Sequence, residues 1–216
     1  MTEISSCPNC NAPIKGGMLS SNKLLSVGKL NLVTFWTHID YKFLCDKCGS
    51  QLFNDAKSKS ELQLNGLRSD LRNTARYIPV VSTHNPYNWE YVTIGMVTGQ
   101  STAGTGMFSE INGAVADLFG GQAGRYNSKL KGGENLCFEQ LRGQAIMMGG
   151  NAVVGCDIDY SEVGGGKGML MVCMAGTVIK IKNLDILPTD VANRIQHIET
   201  LQKKLAPLEE LYRAAI

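Results

Sequence analysis

The clearest hydrophobic pattern lies at residues 149–160, where Gly149-Gly150 is followed by Asn151-Ala152-Val153-Val154-Gly155-Cys156-Asp157-Ile158-Asp159-Tyr160. Paired glycines suit the left-handed backbone that ends a helix, and the run after them alternates with the period of a strand. The stretch therefore predicts a helix-to-strand junction. Along that strand Val154, Cys156, Ile158 and Tyr160 fall on one face and Val153, Gly155, Asp157 and Asp159 on the other, because successive side chains alternate. The first face asks for a core, and the second sets two carboxylates side by side.

Upstream of the junction, Leu130, Cys137, Leu141, Ala145 and Met148 recur at helical steps. A break is expected near Gly132-Gly133, since a glycine inside a helix costs about 1 kcal/mol relative to alanine. Met107, Ile111, Val115 and Leu118 predict an earlier helix over 107–119, ended by Gly120-Gly121. Residues 78–83 and 89–99 read as strands around the turn-prone Asn85-Pro86-Tyr87-Asn88, forming a hairpin or neighbouring strands. Downstream, Gly164-Gly165-Gly166-Lys167-Gly168 predicts a turn and 169–181 a returning strand. Residues 99–106 are glycine-rich but lack the lysine of a phosphate loop, so they read as a loop before a helix.

The flanks differ in character. Residues 30–44 are rich in aromatic and β-branched side chains and predict a β-ribbon. Leu62, Leu64, Leu67 and Leu71 give a partial helical spacing in a connector over 56–77. Pro188-Thr189-Asp190 opens a C-terminal helix striped by Val191, Ile195, Ile198, Leu201 and Leu205, with a break expected at Pro207. The chain thus divides into a module at 1–55, a linker at 56–77, a central domain at 78–183 and a helical tail at 184–216.

Composition narrows the function classes. The 216 residues allow one ordinary domain with a small appendage. Lys and Arg number 21 against 19 Asp and Glu, too even a balance to argue for nucleic acid or an anionic membrane. The basic excess is local, with ten Lys or Arg against five Asp or Glu between Cys7 and Arg76. No run approaches the roughly 20 apolar residues of a membrane span, and residues 1–6 lack the features of a secretory signal. A cytoplasmic location is the expectation.

Seven cysteines include the pairs Cys7-Pro8-Asn9-Cys10 and Cys45-Asp46-Lys47-Cys48. Each pair supplies half of a tetrahedral shell of soft ligands, so Cys7, Cys10, Cys45 and Cys48 predict one structural zinc site. His38 is a weaker ligand candidate, because four thiols already close the shell. Lys23, Lys29, Lys42 and Lys47 interleave with Phe35, Trp36, Tyr41 and Phe43, a composition that also suits bases and phosphates. A small module needs such aromatics for its core and lysines for solubility, so nucleic-acid contact is disfavoured and a protein partner is the expectation. Cys156 with Cys173, or Asp157 with Asp159, offers an alternative site for a second ion. Cys137, Met169, Met171 and Met174 read as core. His84 has no identifiable catalytic partner, so an enzyme with a pocket between subunits ranks last.

Four segments together resemble the YbjQ-type family, which carries a heavy-metal-binding label. They are Gly95-x-Val97-x-Gly99, Gly120-Gly121-x-x-Gly124-x-Tyr126, Gly150-Asn151-Ala152-Val153-Val154-Gly155-x-Asp157-Ile158-Asp159-Tyr160, and Met171-Val172-x-x-x-Gly176-Thr177. The likeness covers 78–183 and implies an α+β domain of hairpins packed with helices that assembles into a homopentameric ring. The fold class is therefore α+β, with an N-terminal all-β zinc ribbon and a C-terminal helical tail added. The expected function is that of a non-enzymatic, oligomeric metal-binding scaffold or binding protein. A heavy-metal sensor or buffer is the alternative.

Overall fold

The computed structural model describes residues 5–14, 22–103, 123–163 and 169–216. The chain divides into two compact units, Met1–Leu71 with Glu199–Ile216, and Arg72–Ile198. Helix and strand are mixed, as an α+β chain requires. The helix expected at 107–119 and the turn expected at 164–168 lie outside the described residues.

In the first unit, helix α1 spans Val27–Thr37 and helix α2 spans Asp46–Ala75. The all-β ribbon expected at 30–44 is therefore not formed. Its aromatic and β-branched residues favour strands only weakly, and packing overrides that preference. Neighbouring Leu32 and Val33 are both buried while Phe35 is 46% exposed, a distribution that follows the helical repeat and breaks the alternation of a strand. Leu32 and Val33 pack with Leu44, Ala56 and Ala215. Trp36 anchors the helix by donating its indole N–H to Ser60 Oγ at 2.6 Å. Ser26 caps the start, its side chain accepting from the Lys29 N–H, and His38 ends the helix in the left-handed conformation at φ 57°.

Helix α2 absorbs the connector. It begins at the second cysteine pair, so Cys45 and Cys48 stand at a helix start and not in a hairpin loop. The end of helix α4, which spans Thr189–Ala215, belongs to this unit. It is held to α2 by Arg68, whose Nη2 lies 2.7 Å from Glu209, and by the Tyr212 hydroxyl, which donates to Glu61 at 2.6 Å. Pro207 lies inside α4 and does not end it. Proline removes one backbone N–H, but buried Leu201 and Leu208 hold both sides of the site in place.

The second unit contains strands β1 (Tyr91–Ala103), β2 (Ala152–Val163) and β3 (Met169–Ile181), with helix α3 (Ala123–Met147) between β1 and β2 in sequence. The strands form an antiparallel sheet in the order β1-β3-β2. Residues 78–83 do not pair with β1 as expected. Val80 instead bridges Val153 in parallel, and the N–H groups of Val153, Gly155 and Cys156 donate to Pro79, Thr83 and Val81. That segment covers the outer edge of β2. At the opposite edge, Gln140 of α3 accepts from the Gln100 N–H and donates to its carbonyl, while Gln144 donates to the Thr98 carbonyl. Side chains thus take the place of a neighbouring strand there.

The predicted junction is present. Gly149 has φ 80°, and the Gly150 N–H returns to the Ala145 carbonyl at 2.8 Å, which closes α3 before β2 begins. Cys137, Leu141 and Ala145 of α3 pack on Val97, Val153, Cys156, Val172, Met174 and Val178. No break occurs at Gly132-Gly133. A Cβ on Gly133 would lie 2.8 Å from Val172 Cγ2, so the missing side chain lets α3 approach β3. One face assignment is corrected. Val154 packs with Ala152, Ile179, Ile181, Leu187 and Ile195, on the other side of the sheet from Cys156. A register shift between Val154 and Asp157, with Gly155 at φ 59°, turns the strand over at that point.

Candidate metal centre

The Cys7–Cys10 loop is tightened by its own backbone. The Cys7 N–H donates to the Ala12 carbonyl at 2.7 Å, the Asn11 N–H donates to the Cys7 carbonyl at 2.8 Å, and Asn11 takes φ 55°. Ser6 and Pro13 bridge across the loop. The second pair uses helix geometry. Cys45 precedes α2, whose first turn is closed by the Gly49 N–H donating to the Cys45 carbonyl at 2.7 Å. A Cβ on Gly49 would lie 2.6 Å from Leu25 Cδ1, so glycine permits this turn to pack closely. A helix start also favours negative charge, which suits thiolates.

These elements bring all four predicted ligands together. The Sγ atoms of Cys7, Cys10, Cys45 and Cys48 lie within 4.8 Å of one another. Cys7 to Cys48 is 3.9 Å, Cys10 to Cys45 is 3.6 Å and Cys45 to Cys48 is 3.7 Å. A tetrahedron with metal–sulfur bonds of about 2.3 Å has sulfur–sulfur edges of about 3.8 Å. These three edges match that tetrahedron, so the donor set suits one tetrahedral soft metal ion. Cys7 and Cys45 are buried, Cys48 is half-buried and Cys10 is exposed.

The electrostatics of the cluster are uneven. Burial opposes ionisation of Cys45, but the neighbouring Cys48 N–H, the Asn22 amide and the Cys10 and Cys7 thiols favour the thiolate and draw its pKa down to about 6. At Cys10 the Ala12 N–H favours the thiolate. Desolvation and the three neighbouring thiols outweigh it, so the pKa is pushed up to about 12. The cluster thus holds both a ready thiolate and a retained proton. Asn9 Nδ2 lies 3.5 Å from the Cys48 sulfur, and Asn22 donates to the Pro13 carbonyl at 3.0 Å and accepts from the Lys47 N–H at 3.1 Å. The cysteine spacing pointed to the four thiols that gather but not to these amides, which no motif marks. His38 is the cap of α1 and is not part of the cluster.

The central cysteines are arranged differently. Cys137 donates to the Val172 carbonyl at 3.4 Å and Cys156 to the Asp157 carbonyl at 3.8 Å. Burial pushes both thiols above their ordinary pKa, helped by the other cysteines for Cys137 and by Asp157 for Cys156. Cys173 does not join Cys156. It lines a shallow hollow of about 170 Å³ on the other face of the sheet, with Asp157, Asp159, Thr98 and Gln100. Among the described residues, the four N-terminal thiols are the one group of three or more such side chains gathered closely enough to share an ion. His84 packs beside Gly155, where its Cδ2 would lie 3.0 Å from an added Cβ. Also among the described residues, no helix is long and apolar enough to cross a membrane.

A crystal structure of a protein of unknown function from Pediococcus pentosaceus, of the DUF74 family, is similar to this chain. The two share 18% identity over 48% of this chain and 96% of that one, with a TM-score of 0.32. Residues 78–182 match the YbjQ family model, whose description is "Putative heavy-metal-binding". The family match and the separate cluster of four thiols both support a metal-binding role for this chain.

Proposed function

We propose that this protein is a non-enzymatic, oligomeric scaffold or binding protein whose N-terminal unit is folded around one structural zinc ion. Three sulfur spacings of 3.6 to 3.9 Å, Cys7–Cys48, Cys10–Cys45 and Cys45–Cys48, carry this reading, because they match edges of a zinc–thiolate tetrahedron. Four thiolates fill the shell and leave no open position for a substrate, so the ion's contribution is to folding. Soft sulfur donors also select against calcium and magnesium. The heavy-metal description attaches to 78–182, whereas the converging thiols lie at 7–48. The zinc unit is in this reading an addition that presents a surface to a protein partner, and the central domain carries the homopentameric assembly that the family likeness implies.

Native mass spectrometry with metal analysis of the full chain tests both halves. One zinc per chain and masses at five copies are expected. Protein that neither retains nor takes up zinc removes the metal reading, and a monomer mass removes the assembly. Two ions per chain would instead support a further site in the central domain, at the hollow holding Asp157, Asp159 and Cys173.

A further inference from the structure

Asn22 stands between the two halves of the thiol cluster. Its Nδ2 donates to the Pro13 carbonyl at 3.0 Å, just beyond the Cys7–Cys10 loop. Its Oδ1 accepts from the Lys47 backbone N–H at 3.1 Å, inside the first turn of α2. One neutral side chain therefore joins the end of the first loop to the helix start.

The chemistry of the site explains why an amide suits that place. Cys10 and Cys45 are far apart in sequence, and a further anion beside four gathered sulfurs would oppose the thiolates that an ion needs. A tie between the halves must add no further negative charge. A primary amide offers two donors and an acceptor, whereas a carboxylate cannot donate and an ammonium cannot accept. The Lys47 N–H is also one of the groups at a helix start that lack an intrahelical partner, so the Asn22 oxygen satisfies α2 as it fixes it. Asn9, by comparison, reaches the Cys48 sulfur through a single contact at 3.5 Å.

We propose that Asn22 is the positioning residue of the four-thiol centre, holding the end of the Cys7–Cys10 loop against the first turn of α2, so that the bound ion is retained. This rests on the zinc reading above. Hydrogen-bond partners behind metal ligands typically control affinity by about 10- to 100-fold.

The test uses the full chain with Asn22→Ala, Asn22→Asp and, as a control, Asn9→Ala. Both Asn22 variants are expected to take up one zinc at saturation but to surrender it to a chelator about 10- to 100-fold faster, with Asn9→Ala changed much less. In the cobalt(II)-loaded Asn22 variants, the sulfur-to-metal charge-transfer band is expected to shift, because the two halves of the sulfur shell are no longer held in register. A residue that only held the fold would not move that band in protein that still binds cobalt. Asn22→Asp keeps the acceptor for Lys47 and loses the donor, so it reports even if Asn22→Ala fails to fold. Wild-type retention and an unmoved band in Asn22→Asp would overturn the inference while leaving the zinc reading intact. An unsubstituted chain that binds neither zinc nor cobalt would overturn both.

Discussion

Cys45 and Cys156 are both buried thiols, yet they sit in opposite chemical settings. Burial disfavours the thiolate at each, but at Cys45 the Cys48 N–H, the Asn22 amide and two neighbouring thiols reverse that effect and draw the pKa to about 6. Among the described residues, no such donors favour the thiolate at Cys156. Burial raises its pKa, the Asp157 charge raises it further, and its S–H spends its proton on the Asp157 carbonyl at 3.8 Å. Burial alone does not separate a metal ligand from a core residue. Convergence with other donors does, since an ion replaces several protons at once.

The largest effect that would sharpen this comparison comes from removing a ligand. Cys45→Ser is expected to abolish zinc binding and to unfold the first unit, because structural zinc supplies on the order of 10 kcal/mol to small metal-folded modules. Hydrogen exchange should then show lost protection in α1 and at the start of α2, with β1, β2 and β3 still protected. Equal loss in the sheet would break the separation of the two settings.

A core truncation in the second unit should do the reverse. Leu141 is fully buried against the sheet, so Leu141→Ala is expected to cost about 2–5 kcal/mol in urea unfolding while zinc content stays unchanged. Zinc loss in this variant would show that the cluster depends on the sheet.

Acidity gives a smaller, graded effect. Zinc needs thiolates, and Cys10 holds its proton up to about 12 before the ion binds. Binding at neutral pH must therefore release that proton, so affinity falls as pH falls, by about tenfold per pH unit from this group alone. Calorimetry in buffers of different ionisation heat should detect the release. Cys137 and Cys156 are expected to contribute none of it, since burial keeps both protonated. The smallest effect belongs to Cys173→Ser. It is expected to change stability by no more than about 0.5 kcal/mol and to leave zinc stoichiometry untouched, as for other partly exposed positions.

Much of the second unit was legible because its elements obey one local rule each. The Gly149-Gly150 pair marks the end of α3, and the period of 169–181 marks β3. Errors arose where two rules competed. Gly133 looks like a helix breaker until Val172 is seen 2.8 Å from where its Cβ would stand. Gly155 looks like an ordinary strand residue, but its left-handed backbone at φ 59° reverses the faces on either side of it. Strand pairing was also illegible at 78–83, because a short apolar run does not state which edge it will join. In the first unit, residues 30–44 combined strand-favouring side chains with a helical outcome, decided by Leu32 and Val33 packing against Leu44, Ala56 and Ala215.

The sequence by itself singled out the four thiols that gather, because two Cys-x-x-Cys pairs stand out by their spacing. It also determined the helix-to-strand junction, because glycine placement and side-chain period are local properties. Only the tertiary structure decided that the second cysteine pair stands at the start of a long helix, that Asn22 spans both halves of the cluster, and that Cys156 and Cys173 face opposite sides of the sheet. Each of these depends on which distant segments meet, and contacts between segments remote in sequence leave no period or motif to read.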